Sequence, residues 1–418
     1  MNFTDTPEQK AFREEARAWI RANAPWEHVE RIKKLRFAGL PFEDEHEWLA
    51  IAKDWQRKKY DAGWACLVWP TEYGGRGLSP SENVIFQQEE GPFAELFGPF
   101  MIGQGFVAPT LMAFASEAQK RDFLPRLASG ENIWCQMFSE PGAGSDLAGV
   151  RTRAERCRDG NNGWRLNGQK VWTSGAHHSE WGIALVRTDP DAVKHKGLTM
   201  FIVNMSAPGV TVRPIEQLSG STHFNEVFFD DVLLPDEQRL GEANDGWRVA
   251  LTTLMSERMS IGASTPTGIE EIFELALQSS DDEAAPIESE DVRLRLADWY
   301  AKSSGIRFGV YRMLTALARG GSPGPEAAVC KLVGATTTQD IAAYGLDLLG
   351  ARGRAASCDE DAWQFHTLFA FGAVHRLEGG TDEVLRNVLA ERVLGLPADI
   401  RADRGPFRDI PTAPRPGA

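Results

Sequence analysis

Cys135-Gln136-Met137-Phe138-Ser139-Glu140-Pro141-Gly142-Ala143-Gly144-Ser145-Asp146 divides this chain. Ahead of it, apolar residues recur at helical spacing. Behind it, short period-two runs begin. The apolar run 135–138 ends in a sharp turn through Pro141-Gly142-Ala143-Gly144, with Ser139 and Ser145 on either side. Proline and two glycines allow a tight bend and a close approach of main chain to a flat or anionic ligand. Successive amide N–H groups in such a bend can form an anion-binding concavity. Pro-Gly-x-Gly alone is equally the signature of a surface turn, so the rest of the chain must decide.

Working back from the turn, the first third reads as helices. Thr6-Pro7 is a start signal, a cap followed by proline. Phe12, Ala16, Trp19 and Ile20 follow at helical spacing, then Trp48, Ile51 and Trp55, then a run from Pro80. The stretch 116–130 reads as one further helix, bent or ended by Pro125. Working forward, period-two runs cover 164–166, 170–173, 183–187, 198–204, 210–214 and 226–234, with Asn167-Gly168 read as a hairpin turn between the first two. Strands at this spacing predict a small antiparallel barrel or sandwich. After Gly241 the helical period returns and holds to Leu396. The acidic stretch 279–291 reads as a solvated connector, and Ser322-Pro323-Gly324-Pro325 as a break between helices. The fold class expected is α+β: an N-terminal helical domain (1–131), a central β domain (132–241), a C-terminal helical bundle (242–397) and a flexible tail (398–418).

The bulk properties are compatible. At 418 residues the chain is long enough for two or three packed layers. A net charge of −14 argues against a nucleic-acid partner. The five cysteines are scattered without a CxxC or Cys/His cluster, which suggests a reducing, cytoplasmic setting and no structural zinc. No run approaching the roughly 20 apolar residues of a membrane span is evident. His177-His178 is the one pair that invites a metal. Read as neighbours on a strand they point to opposite faces, so no metal site is expected.

A second string, Asn167-Gly168-Gln169-Lys170-Val171-Trp172-Thr173-Ser174, carries chemistry. Trp172 and Ser174 are two apart, so a strand puts an indole and a hydroxyl on one face, suited to covering a planar ring and bonding its polar edge. A core tryptophan beside a strand-end serine is the plainer reading of this string alone.

The two strings in succession resemble an acyl-CoA dehydrogenase, and the resemblance covers nearly the whole chain. It includes Phe123-Leu124-Pro125 and Gly130-Glu131 ahead of the turn, Gly246-Trp247 opening the C-terminal helices, Glu378-Gly379-Gly380-Thr381, and Ala390-Glu391-Arg392. It implies a bacterial FAD-dependent enzyme, with FAD extended between the β domain and the C-terminal helices. No GxGxxG follows a strand, and the family does not use one. By similarity the FAD contacts are Gln136, Phe138, Ser139, Gly144, Ser145, Trp172, Ser174, Gly350, Thr381 and Glu383. The acyl-CoA contacts are Ser145, Arg258 and Gly379, and Thr381 would cap the last helix. The reaction implied takes a proton from Cα and a hydride from Cβ of an acyl-CoA, giving the trans-2-enoyl thioester, with an electron-transfer flavoprotein as acceptor.

Two glutamates compete for the base. Ala250, Leu254, Glu257 and Ile261 form one helical stripe, and an acid within an apolar stripe should have its pKa raised toward the working range. Glu378 precedes two glycines where the commoner family pattern has one, which shifts it a residue out of register. Glu257 is preferred, with Glu378 the alternative. The chain also departs from the family. It lacks an Arg-x-x-Phe-Gly motif, and Asp347-Leu348-Leu349-Gly350-Ala351 stands where Gln-x-x-Gly-Gly is usual. Both changes fall on the half of the FAD site that a neighbouring subunit completes. A homodimer or homotetramer is implied, with mixed assembly open. Two other functions are carried forward: a non-catalytic subunit that only completes an FAD site, and an acyl-CoA oxidase that uses dioxygen.

Overall fold

The computed structural model of the chain describes residues 5–37, 45–157, 162–262, 265–279, 284–318, 324, 326–355, 360–398 and 405–410. The N-terminal layer holds α1 (Pro7–Asn23), α2 (Val29–Lys34), α3 (Glu45–Asp61), α4 (Pro80–Glu89), α5 (Ala108–Phe114) and α6 (Glu117–Ala128). Thr6 caps α1, Ser79 caps α4 and Ser116 caps α6, each in a reciprocal box with the residue three on. Pro125 lies inside α6 and does not end it. Aromatic side chains fill this core, with Trp19 stacked on Trp55 at 5.2 Å and Trp64 on Phe86 at 5.2 Å.

Between α4 and α5 the chain stays helical, as 3-10 turns over Gly91–Phe100 and a π-helix over Met101–Val107. Together, Gly91–Phe114 is a 24-residue helix long and apolar enough to cross a membrane. The sequence reading found no such run, because Gly91, Pro92, Pro99 and Pro109 interrupt it as sequence while the backbone absorbs them by changing helix type. Phe93, Leu96, Phe100, Phe106, Val107 and Leu111 are all buried in the protein's own core.

The β layer contains β1 (Trp134–Met137), β2 (Arg153–Arg156), β3 (Gly163–Ser174), β4 (Trp181–Arg187), β5 (Leu198–Asn204), β6 (Val210–Pro214), β7 (Phe224–Pro235) and β8 (Arg239–Leu240). They form one eight-stranded sheet in the order β6-β7-β3-β2-β4-β5-β8, with β1 joined to β4. Pairing is mostly antiparallel, but β1 runs parallel to β4, and β2 meets β4 in parallel at one pair. The sheet encloses an inner core of Trp164, Leu166, Val186, Phe201, Val227 and Val232. Its outer side packs Ile183, Leu185, Leu198 and Met200 against helices. Because both faces are covered, β4 and β5 are buried almost end to end and not only at alternate residues.

Asn167-Gly168 is not a hairpin turn. The two runs flanking it belong to the single strand β3, and the pair is a bulge opposite β7. Gly168 has φ 144° and lies against Thr152, where a Cβ would come within 2.5 Å of the Thr152 hydroxyl. Asn-Gly thus supplies the bend of a long strand, not a reversal.

The C-terminal layer holds α7 (Gly246–Gly262), α8 (Ile269–Leu277), α9 (Glu290–Ala318), α10 (Glu326–Leu348), α11 (Ala351–Arg354), α12 (Glu360–Gly372) and α13 (Asp382–Arg392). Ile272, Leu296, Trp299, Ile341 and Phe365 form its core. Most of the acidic stretch joins α8 to α9, with a 3-10 turn at Pro286–Glu288; residues 280–283 lie outside the described set, as does most of the Ser322–Pro325 break. Within the stretch read as a flexible tail, 405–410 is docked on the β layer. Phe407 is buried, its amide donates to the Ala192 carbonyl, and the Arg187 guanidinium sits 3.7 Å over its ring. The cause is an aromatic anchor within an otherwise polar, proline-bearing segment.

Candidate active site

Three elements converge around the turn that follows β1. The turn itself is a compact loop: Glu140 and Ala143 exchange two backbone hydrogen bonds of 3.0 Å. Gly142 and Gly144 have ordinary negative φ, and a Cβ on either would meet nothing within 4 Å. Their value is the open space over the main chain, not left-handed backbone. Phe138 is buried, Ser139 half-buried and Ser145 exposed.

The second string is tied to the first by a buried ion pair that sequence reasoning missed. Lys170 is wholly buried, and its Nζ donates to Glu140 at 2.8 Å, to the Phe138 carbonyl at 3.0 Å and to the Leu185 carbonyl at 2.6 Å. Glu140 also accepts from the Arg151 and Thr152 amides at 2.6 and 2.9 Å. Burial pushes the Glu140 carboxyl up, but the Lys170 charge and these hydrogen bonds outweigh it, and the pKa falls below the carboxylate range. Period two places Lys170 on the same side as Trp172 and Ser174, and the register shift between Lys170 and Thr173 breaks that pattern, leaving the lysine wholly buried. The pair fixes β3 to the turn, and Val171 N–H adds a 3.0 Å bond to the Ser139 carbonyl.

Two residues on, β3 carries a second register shift. There Trp172 has φ 59°, a left-handed backbone that costs an L-residue about 1 kcal/mol or more. Its ring is 57% exposed, edge-on to Phe224 at 5.9 Å. Thr173 is buried and Ser174 half-buried. A strained, exposed tryptophan beside an open glycine turn fits a planar ligand such as a flavin ring. Trp172→Gly is expected to leave thermal stability unchanged or raised, because it relieves the strained φ, while flavin affinity falls about tenfold with the loss of one aromatic contact. Flavin titration beside a melting curve checks both.

Glu257 lies on α7. That helix is set by Gly246, where a Cβ would come within 2.6 Å of Thr199 backbone, so only glycine lets it start this close to β5. Val249, Ala250 and Thr253 are buried, and Thr253 bonds the Thr110 hydroxyl of α5 at 2.9 Å. Roughly 16 Å along the helix from Gly246, half-buried Glu257 accepts at Oε2 from Gln136 Nε2 of β1 at 2.9 Å. Burial raises its pKa, the Gln136 hydrogen bond lowers it, the Glu378 charge raises it and Arg258 lowers it; the net shift is upward. The two rival glutamates are therefore neighbours, each within the other's field. Glu378 is held at 2.7 Å by His375 Nδ1. Gly379 and Gly380 after it take φ 60° and 97°. Arg258 is half-buried, and its Nε is buried without a partner among the described residues.

Thr381 caps α13, accepting from the Val384 amide at 3.3 Å, with Glu383 exposed in the first turn. Behind the cap lies another cluster missed from sequence. Asp382, 2% exposed, takes two 2.7 Å contacts from Arg376, while Lys331 of α10 donates to the Gly380 carbonyl at 2.8 Å. Gly350 stands apart as the residue leading into α11, its amide donating to the Asp347 carbonyl.

His177 and His178 are not on a strand. They occupy a 3-10 turn, Ala176–His178, and both turn toward Glu45 of α3, with Nε2 at 3.3 and 2.5 Å from its oxygens. The opposite-faces argument fails for that reason, and the three groups lie within 4.8 Å of one another, close enough to hold a metal ion. Burial pushes the Glu45 carboxyl up, but the two histidines hold it far below the usual range. A lowered native pKa contributes stability above the ordinary carboxylate range that disappears as pH falls. The melting-temperature gap between the protein and Glu45→Gln is expected to be open just above the ordinary carboxylate range and to close in strong acid.

Models of the acyl-CoA dehydrogenase N-terminal, middle and C-terminal domains match residues 6–131, 135–232 and 244–394. The acyl-CoA dehydrogenase IpdE1 of Mycobacterium tuberculosis is 37% identical over 93% of this chain and 98% of its own. Acyl-CoA dehydrogenase FadE34 of the same organism is 40% identical over 81% of this chain, which spans 45% of that longer protein. Among solved structures, the steroid ACAD Tcur3481-Tcur3483 is 30% identical with a TM-score of 0.78, covering 96% of this chain and all of that one. The chain belongs to the acyl-CoA dehydrogenase family of flavoprotein oxidoreductases.

Proposed function

We propose that this protein binds FAD and dehydrogenates an acyl-CoA thioester between Cα and Cβ, with Glu257 as the base. The observation that carries the reading is the 2.9 Å hydrogen bond from Gln136 to Glu257, which sets the α7 carboxylate beside the strand leading into the flavin turn. The α-proton is weakly acidic, and its removal needs a carboxylate with a raised pKa in a site shielded from water. Partial burial and the field of Glu378 supply that shift. Trp172 would cover the flavin ring, with Ser174, Ser139 and the turn amides along its edge and the capped start of α13 at its phosphate end. When bound, the flavin supplies the hydride acceptor, and that chemistry is the cofactor's own.

The electrons pass, in this proposal, to an electron-transfer flavoprotein. The steroid relative makes a bulky polycyclic acyl group the first candidate, and its two-part name keeps mixed assembly with a second chain in view. The test is anaerobic mixing of FAD-loaded protein with straight, branched, aromatic and sterol-side-chain acyl-CoAs. Loss of the oxidised flavin band with a bulky thioester supports the reading. No bleaching with any of them sinks it, and peroxide release in air would turn the reading to an oxidase.

A further inference from the structure

We infer that Gln136 is a positioning residue for the base, its amide holding one oxygen of Glu257 so that the other is left to take the substrate proton. The inference rests on Glu257 being the base. Gln136 lies on β1 between buried Cys135 and Met137, paired to β4, so its amide is delivered by rigid strand. Its Nε2 donates to Glu257 Oε2 at 2.9 Å, while its own Oε1 is buried without a partner among the described residues. A buried carbonyl oxygen with nothing to accept is costly, and this one belongs to the amide that touches the base. The arrangement serves both protonation states. Before the reaction the amide N–H supports the carboxylate. In the reaction the substrate Cα–H bond breaks, the proton joins a Glu257 oxygen, and the electron pair moves into the acyl group as hydride leaves Cβ. The new O–H is then on the oxygen away from Gln136, and the amide N–H stays on Oε2, now the carbonyl oxygen of the neutral acid.

Among the described residues, the groups whose charge reaches Glu257 are Arg258 beside it on α7 and Glu378 from the loop before α13. Thr253 of α7 and Thr110 of α5, which join the two helices, are neutral and bonded to each other. Gln136 and Arg258 thus oppose burial and Glu378 in setting the proton affinity of the base.

The experiment uses the FAD-loaded protein with Gln136→Met, which keeps the side-chain length and removes the amide. Gln136→Asn is the second variant, keeping the amide one methylene short of reach. Flavin reduction by an active acyl-CoA is followed against pH, together with infrared titration of the carboxyl band that Glu257→Gln removes. Expected is an upward move of the acid limb, and of the infrared midpoint, by about one unit, a tenfold change in proton affinity. If Glu257→Gln abolishes reduction while both Gln136 variants leave limb and midpoint in place, the role given to Gln136 is wrong and the base stands. If Glu257→Gln reduces its flavin normally, the base itself is misassigned and the inference goes with it.

Discussion

Flavin reduction by acyl-CoA is expected to slow by roughly a hundred- to ten-thousand-fold in Glu257→Gln, the range for loss of a positioned base. FAD should remain bound, because Glu257 lies on α7 and the turn proposed to meet the flavin is held by other contacts. Glutamine matches the size of glutamate and can still meet Gln136, so the helix that Thr110 and Thr253 fasten should not shift. Glu378→Gln is the matched control. That carboxylate is tied to His375 at 2.7 Å, and its removal should lower the pKa of Glu257 by lifting a like charge. A modest downward move of the acid limb is therefore expected there, not a lost reaction. Stopped-flow traces at several pH values separate the two.

Lys170→Met is expected to cost about 3–5 kcal/mol of stability and to abolish flavin binding. Breaking one partner of a buried pair leaves the other charge in a place built for two. Glu140 would keep the Arg151 and Thr152 amides but lose its counter-charge, and the Phe138 and Leu185 carbonyls would lose their donor. The paired substitution Glu140→Gln with Lys170→Met should recover part of the stability, since no lone charge remains. It should not recover full flavin affinity, because the turn loses its tie to β3. Denaturant melts of the single and double variants, read as a cycle, test this.

The three-part architecture was legible because each third has one dominant period, and the helix starts at Thr6 and Ser116 carry their caps in sequence. Composition could not tell a turn from a bulge at Asn167-Gly168, since both exploit the same glycine; the difference is the contact with Thr152, distant in sequence. Helix Gly91–Phe114 escaped because prolines and glycines mask a run that switches between 3-10, π and α geometry. At the candidate site, the open glycine turn and the exposed Trp172 were visible as motifs. The residues that support them, Lys170 under the turn and Asp382 under the Thr381 cap, look in sequence like ordinary surface charges. Glu45 lies in a different layer from His177 and His178, so that meeting was invisible to local spacing.

The most direct measurement is a crystal structure of the FAD-loaded protein with an acyl-CoA analogue that cannot be oxidised. The account predicts a Glu257 oxygen about 3 Å from the analogue's Cα, the Gln136 amide on its other oxygen, and the Trp172 ring over the flavin. Glu378 in that place, or Glu257 turned away from the thioester, would contradict it.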